Sequence, residues 1–331
     1  MAVFDETPDI RTFRMARPEG FEFKAGQFLT VRVRADGKEH VRCYSISSPP
    51  GARGHLEITV KRIGLVSSAL HSMVRPGAMM SVRAPAGGFL YPAAEDRPVV
   101  LIAGGVGITP LMSMLRHALD EEPTRPLTLL YSVRTVQDIA FHDEIMFLSR
   151  RHAHFRVAIA ISDGPASERF HPGRIDASLV TACVPDITAA ICLLCGPPPM
   201  LEAATAMLVS LGVPRAQITY EIFQAAVAAS AVPDPLSVAP AAAPHGSHEV
   251  RFDRSGLTAT AQSTHTMLEV AEDCGAGIPS LCRAGVCGTC RTRVLEGQVS
   301  CTSRLLDEED RADGFVLPCV THVLGDCVVD A

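Results

Sequence analysis

Apolar and polar positions alternate along residues 27–33 (Gln-Phe-Leu-Thr-Val-Arg-Val) and 55–61 (His-Leu-Glu-Ile-Thr-Val-Lys). That period of two turns one strand face inward and the other outward. Glycine and proline punctuate residues 1–95 every 8 to 12 positions or so, which predicts a small antiparallel β-barrel. With Met1 directly ahead of it, the first strand is expected to be short.

The pattern changes near Glu95 to Pro98, where a polar segment precedes the unbroken apolar run Val99-Val100-Leu101-Ile102-Ala103. Similar runs at 127–131, 155–160 and 190–194 predict buried strands with helices between them. Fully apolar strands of this length have both faces covered, so residues 96–224 read as an α/β doubly wound parallel sheet, with ligands at the carboxyl ends of the strands. After the first strand, Gly104-Gly105-Val106-Gly107-Ile108 turns the chain. Thr109 is then expected as N-cap and Pro110 as the first helical residue, with Leu111, Met114, Leu115 and Ala118 on one helix face.

Residues 225–247 are rich in Ala and Pro, nearly free of charge and without amphipathic period, which predicts a semi-extended linker. Beyond it come an alternating strand at 249–253, a turn at 254–256, a second strand, a helix over 266–273, an acidic helix at 307–310 and a closing strand at 326–329. At 331 residues, 47% of them hydrophobic, the chain is long enough for two or three domains that each build a core. The expected division is 1–95, 96–224, the linker 225–247, and 248–331.

Charge sharpens this division. Residues 248–331 hold 7 Arg, no Lys and 13 Asp plus Glu, a net of −6, whereas residues 1–247 hold 23 of each sign. All of the excess negative charge sits at the C-terminal end. No basic face for nucleic acid is indicated, and the acidic segment suits docking to a basic partner as well as it suits plain solvation. No apolar run approaches about 18 residues and no basic-then-apolar leader opens the chain, so the expected location is cytoplasmic, without a membrane span.

The most specific signal is Cys282-Arg283-Ala284-Gly285-Val286-Cys287-Gly288-Thr289-Cys290, answered by Cys319. C-x4-C-x2-C with a distant fourth cysteine is the plant-type spacing for a 2Fe-2S cluster, with two thiolates for each iron. Gly285 and Gly288 let the loop curl so that amides face the sulfurs. Structural zinc is the nearest rival, but its ligands usually come as two short pairs. An odd total of eleven cysteines argues against a disulfide scaffold. Most of the remaining seven, at 43, 183, 192, 195, 274, 301 and 327, read as buried small hydrophobes.

Within the barrel segment, Arg42 and Tyr44 are two apart on a strand and so share a face, a phosphate-pairing cation beside an aromatic ring. Gly64-Leu65-Val66-Ser67-Ser68 opens an apolar helix with hydroxyls and free amides suited to an anion. Surface arginines and edge tyrosines are also common without a ligand, and the glycine turn at 104–107 also fits a tight packing turn. A second strand-to-helix turn, Cys195-Gly196-Pro197-Pro198-Pro199, and the strand end Tyr131-Ser132-Val133-Arg134 accompany it.

Arg42-x-Tyr44-Ser45 with the Gly64-to-Ser68 run resembles the flavin site of the ferredoxin-NADP reductase superfamily. The resemblance implies Arg42 on the flavin phosphate, Tyr44 against the isoalloxazine, Ser45 near its reactive edge, and Gly64 with Val66, Ser67 and Ser68 around the pyrophosphate. No Gly-Arg-Gly-Gly-Ser phosphate loop of the FMN-only type is found, which favours FAD over FMN. It also implies Gly105, Gly107 and Thr109 at the dinucleotide, Arg134 on the adenosine side, and Cys195, Gly196 and Pro197 at the nicotinamide. Phe223 then lies near the flavin or in the core. Asp163 stands where relatives using NADPH carry an arginine, and its carboxylate accepts from a free 2'-hydroxyl but repels a phosphate, so NADH is expected. His71 is expected to be solvated or capping.

Flavin barrel, nicotinamide domain and C-terminal ferredoxin of α+β β-grasp type together cover the chain. The order resembles the NADH-dependent reductases of Rieske-type oxygenases and demethylases, and the reductase of the hybrid-cluster protein. The implied chemistry is hydride transfer from NADH to FAD, then single electrons through Cys282, Cys287, Cys290 and Cys319 and their cluster to a partner protein. That partner is a terminal oxygenase, or alternatively a hybrid-cluster protein or a cytochrome P450. A redox-sensing or electron-buffering module is the rival from another class, and an oxidase passing electrons to oxygen is a third reading. No G-x-S-x-G, H-E-x-x-H or Walker loop points to hydrolytic or nucleotide-triphosphate chemistry.

Overall fold

In a computed structural model of the chain, the structure describes residues 2–164, 169–223, 247–262, 265–280, 285, 288–303, 305–306 and 308–331. They fall into two compact units, Met1–Val227 and Ala228–Ala331. The expected linker lies outside the described residues except for Ser247, which already belongs to a strand.

The first unit opens with β1 (Ala2–Thr7), β2 (Ile10–Ala16), β3 (Phe28–Ala35), β4 (Lys38–Ser45), β5 (His55–Lys61), α1 (Leu65–Met73) and β6 (Ser81–Val82). Two antiparallel sheets, β1-β2-β5 and β4-β3-β6, are joined where Ile46 bridges Ile58. Phe13, Leu29, Val31, Ile46, Leu56 and Ile58 fill the barrel, and α1 closes it with Val66 and Leu70. Inward residues alternate with residues on the opposite face, as the period of two requires, although Thr30, Glu57 and Thr59 on that face are also buried. The first strand is not short: it runs six residues and pairs with β2 at five of them, with a bulge at Glu6.

The same unit continues with β7 (Val99–Gly104), α2 (Ile108–Glu121), β8 (Leu127–Val133), α3 (His142–Arg151), β9 (Phe155–Ile161), β10 (His171–Pro172), α4 (Ala177–Cys183), β11 (Ile191–Gly196), α5 (Pro198–Ser210) and β12 (Ile218–Ile222). These strands form one parallel sheet in the order β10-β9-β8-β7-β11-β12. Apolar clusters cover both faces, one around Leu101, Leu129 and Leu193 and the other around Ile102, Leu130 and Leu194. That double burial is why these strands read as unbroken apolar runs.

Thr109 does not cap α2. A 3-10 turn over Gly105–Gly107 runs straight into the helix, so helical geometry begins early and Gly107 takes the N-cap. Thr109 is buried inside the first turn, donating from Oγ1 to the Val106 carbonyl at 3.1 Å.

The second unit carries β13 (Ser247–Phe252), β14 (Leu257–Gln262), α6 (Met267–Cys274), β15 (Thr292–Glu296), β16 (Val299–Cys301), α7 (Glu308–Ala312), β17 (Phe315–Val316), β18 (Thr321–Val323) and β19 (Cys327–Val329). A mixed sheet in the order β14-β13-β19-β15-β17 packs its apolar face on α6, with β16 and β18 as a separate pair. Thr266 caps α6 by accepting from the Glu269 amide, and Glu269 reaches back to the Thr266 amide. This is the β-grasp arrangement of a plant-type ferredoxin.

Candidate functional site

The parallel sheet brings the expected nicotinamide residues to one edge. Its register aligns Ala103 with Tyr131 and Cys195, Val133 with Ile161, and Gly196 with Ile222. Asp163, Arg134, Gly105 with Gly107, Cys195 to Pro197, and Phe223 therefore follow one another across the carboxyl ends of β9, β8, β7, β11 and β12. The Asp163 amide donates to the Arg134 carbonyl at 2.7 Å, and their exposed side chains stand 3.9 Å apart. The Phe223 amide donates to the Gly196 carbonyl at 3.0 Å.

The two strand-to-helix turns at the centre of this edge are pressed together. A Cβ placed on Gly107 would meet the Cys195 carbonyl oxygen at 2.2 Å, so no larger residue fits. No side chain caps α2; the Ile108 amide is already bonded to the Gly105 carbonyl and Pro110 has no N–H, so what the turn offers an anion is close approach to the backbone at Gly105 and Gly107. This cradle of bare backbone fits a dinucleotide pyrophosphate. Cys195 is fully buried, and burial, with the nearby Glu221 carboxylate adding to it, pushes its thiol well above the ordinary value. Buried and neutral, it is not a thiolate nucleophile.

On the barrel, Arg42 pairs across from Val31 and Tyr44 from Leu29, so both lie half-buried on one face of β4; Ser45 is buried at its end, opposite Phe28. Burial pushes the Tyr44 phenol up to about 12 against the opposing effect of Arg42, so the ring is neutral. Tyr44 packs on the same apolar cluster as Val66, which joins the two halves of the expected flavin site. Gly64 is the N-cap of α1. The Ser67 hydroxyl is committed to that turn: it accepts from the Ile63 and Gly64 amides, each at 2.9 Å, and donates to the Gly64 carbonyl at 3.0 Å. Ser68 is exposed, beside an open cleft whose lining includes Arg11, Arg62, Leu65 and Ser72.

His71 is neither solvated nor a cap. It is 5% exposed, its ring Nε2 bonds the Val60 carbonyl at 2.8 Å, and it meets Phe13 edge-on at 5.9 Å. It fastens α1 to β5. The apolar surroundings come from strands distant in sequence, which local pattern does not register.

Of the four cluster cysteines, Cys290 and Cys319 are described and Cys282 and Cys287 lie outside the described residues. Cys290 and Cys319 are both buried, and their sulfurs stand 3.4 Å apart without a disulfide. Two thiolates on one tetrahedral metal at about 2.3 Å would stand about 3.8 Å apart, so the pair fits a shared iron after a small adjustment. Gly285 has φ +71°, and a Cβ there would lie 2.8 Å from the Val320 side chain, next to Cys319. Its carbonyl accepts from the buried Ser303 hydroxyl at 2.9 Å.

The acidic helix is tied to this loop. Arg291, directly after Cys290, pairs with Asp310 and lies over the Phe315 ring at 3.5 Å from its centroid. Arg311 donates to the Ser303 carbonyl. Asp307 lies outside the described residues.

Family models match three segments: an oxidoreductase FAD-binding domain at residues 3–91, an oxidoreductase NAD-binding domain at 101–206, and a 2Fe-2S iron-sulfur cluster binding domain at 250–324. The chain is 34% identical to the glycine betaine monooxygenase reductase subunit of Chromohalobacter salexigens, over 96% of this chain and 90% of that one. It belongs to the family of FAD- and NAD-binding reductases with a fused 2Fe-2S domain. The NADH oxidoreductase HCR of Escherichia coli is 31% identical over 99% of this chain and 95% of its own. Among solved structures, phthalate dioxygenase reductase superposes with a TM-score of 0.67 at 26% identity, covering 100% of this chain and 96% of that one. The protein is thus an oxidoreductase with FAD, NAD and 2Fe-2S binding domains in that order.

In this reductase, local sequence pattern reveals neither the burial of Glu221 and Glu57 nor the partners of Arg116. Glu221 is buried and pairs in register with Cys195; nothing local in Glu221-Ile222-Phe223 marks its carboxylate as buried. Glu57 and Thr59 are 2% and 3% exposed although they lie opposite the apolar face of β5. The signal available was a charge in the middle of an otherwise inward-packed strand.

Among the described residues, no helix is long and apolar enough to cross a membrane.

Proposed function

We propose that this reductase takes a hydride from NADH onto FAD and passes single electrons through its 2Fe-2S cluster to a separate oxygenase. The observation that carries the reading is the bare-backbone cradle of Gly107 against Cys195, at the centre of a strand edge that also holds Arg134, Asp163 and Phe223. Bound FAD would supply the conversion between the two-electron chemistry of NADH and the one-electron chemistry of the cluster.

The chain's own residues then divide the work. Arg42 pairs with a flavin phosphate, the neutral Tyr44 covers a ring face, and Ser45 borders the reacting edge. Gly64, Val66, Ser67 and Ser68 form the pyrophosphate turn, which in the first turn of α1 offers amides and, through Ser68, an exposed hydroxyl. Arg62 in the adjoining cleft offers a cation to the longer diphosphate of FAD, while Arg11 beside it is already held by Asp5 and the His71 carbonyl. Gly105, Gly107 and Thr109 admit the dinucleotide, Cys195 to Pro197 with Phe223 border the nicotinamide, and Asp163 accepts from a free ribose hydroxyl. Cys282, Cys287, Cys290 and Cys319 hold the two irons. The functional segments are 1–95, 96–224 and 248–331, joined by the linker 225–247.

The oxygenase reading draws on the glycine betaine monooxygenase reductase subunits among the relatives. A reductase serving another kind of redox acceptor is the second reading, favoured by the relative named NADH oxidoreductase HCR. The acidic second unit is the proposed docking surface in both. Assays of NADH oxidation with the purified protein, with and without a Rieske-type oxygenase, test the proposal. Turnover that depends strongly on the oxygenase supports it, and equal peroxide production without any protein acceptor contradicts it.

A further inference from the structure

The first unit holds a polar network, buried at Glu57, exposed at its outer end Arg14 and half-buried at its other end Glu144, that neither cofactor reading uses. Glu57 on β5 lies between two guanidinium groups, Arg14 Nε at 2.7 Å and Arg116 Nη1 at 2.8 Å. Arg14 belongs to the barrel and Arg116 to α2. Arg116 also donates to the Ser47 carbonyl at 2.8 Å and forks onto the Glu144 carboxylate of α3 at 2.7 and 2.6 Å. Its guanidinium lies over the Phe141 ring, 5.3 Å from the centroid. One turn earlier, the Ser113 hydroxyl donates to the Ser48 carbonyl at 2.7 Å.

The ends of this bolt matter more than its strength. Ser47 and Ser48 follow Ser45, the last residue of the flavin strand, by two and three positions, at most about 11 Å of chain. Ser113 and Arg116 lie six and nine residues along α2 from Gly107, about 9 and 14 Å at the helical rise. Both arms are short and rigid, one being strand-end backbone and the other helix. A different clamp, Tyr91 to Glu122 at 2.6 Å, joins the two domains about 22 Å along α2 from Gly107.

We infer that Arg116 is a positioning residue which, with Ser113, sets the nicotinamide turn at Gly105–Gly107 against the flavin edge at Ser45; this rests on the NADH-to-FAD reading proposed above. Small displacements of reacting centres are costly, a shift of about 1 Å being able to slow a step about 100-fold. The hydrogen-bonded network pairs two guanidinium groups with two carboxylates.

The test uses full-length flavin-loaded protein and the variants Arg116→Ala, Arg116→Lys, Ser113→Ala and Tyr91→Phe. Anaerobic stopped-flow mixing with NADH reads the limiting rate of flavin reduction and the apparent Kd, and calorimetry reads how the first unit melts. Arg116→Ala should slow the limiting rate about 10- to 100-fold with the Kd changed less than about threefold. Its primary deuterium isotope effect should rise, and its barrel and nucleotide-binding halves should melt separately instead of together. Arg116→Lys should fall between Arg116→Ala and wild type, Ser113→Ala should lose less, and Tyr91→Phe should keep the wild-type rate. If Arg116→Ala cannot hold flavin, Arg116→Lys and Ser113→Ala are judged by the same rate and Kd criteria. A wild-type limiting rate in the Arg116 variants, or a loss no larger than that of Tyr91→Phe, overturns the inference. Failure of NADH to reduce the wild-type flavin would instead overturn the underlying reading, a result seen before any variant is made.

Discussion

Gly107 and Cys195 approach so closely that a methyl group on the one would sit 2.2 Å from the carbonyl oxygen of the other. The contact joins the turn after β7 to the turn after β11, and both turns lead into helices. Backbone atoms, with no flexible side chain between them, set the width of the cradle. Gly107→Ala must therefore move one turn, at about 1–3 kcal/mol of stability. Flavin reduction by NADH should fall in step with a lower Tm. An alanine variant with wild-type Tm and wild-type reduction rate would show that the turns are not held in this way.

In the proposed reading, Asp163 sets the choice of dinucleotide through its charge. Its exposed carboxylate stands 3.9 Å from the Arg134 guanidinium and so competes with any phosphate for that cation. Asp163→Ser should raise the kcat/KM ratio of NADPH to NADH about tenfold, a change of about 1.4 kcal/mol. Steady-state kinetics with both nucleotides check this, and a wild-type preference for NADPH would reverse the assignment.

His71 gives the fold a pH dependence of defined sign. Burial, the largest cause, lowers its pKa below the usual 6.5, because the folded state disfavours the imidazolium. The unfolded chain then binds the proton more readily, so its contribution to stability is present above about 6.5 and lost as pH falls below it. His71→Gln retains a donor for the Val60 carbonyl but does not titrate. Urea unfolding at pH 7 and pH 5 should show a smaller acid-side loss in this variant than in wild type, and equal losses would remove His71 from the account.

Much of this architecture is legible in the sequence because it comes from local periodicity. The strands at Val99–Gly104, Leu127–Val133, Phe155–Ile161 and Ile191–Gly196 are apolar on both faces, and helices cover both faces. Thr266 to Glu269 shows its capping box in four consecutive residues. What escaped depends on partners far along the chain. Arg116 finds Glu57 at a separation of 59 residues, and Phe141 donates to Glu6 across 135. Thr109 looked like a cap because hydroxyl residues usually are, yet the preceding 3-10 turn had already started the helix. The Ser67 hydroxyl looked available for a ligand and is instead spent on its own turn.

The acidic helix carries two kinds of carboxylate. Asp310 is paired with Arg291 beside the cluster loop, whereas Glu308 and Glu309 are exposed. Replacing Glu308 and Glu309 with glutamine should weaken turnover with the protein acceptor and spare ferricyanide reduction. Asp310→Asn should in addition loosen the loop and speed loss of iron to a chelator. Equal loss with ferricyanide and with the protein acceptor in the double glutamine variant would count against docking there.

The most direct test of the electron path is an anaerobic NADH titration of the purified full-length protein, with extracted flavin and metal measured on the same sample. The account predicts FAD and two irons per chain, loss of flavin absorbance on adding NADH, and a low-temperature EPR signal of a reduced 2Fe-2S cluster that Cys319→Ser abolishes. FMN or zinc in place of these groups, or a cluster that stays oxidised while NADH bleaches the flavin, would contradict it.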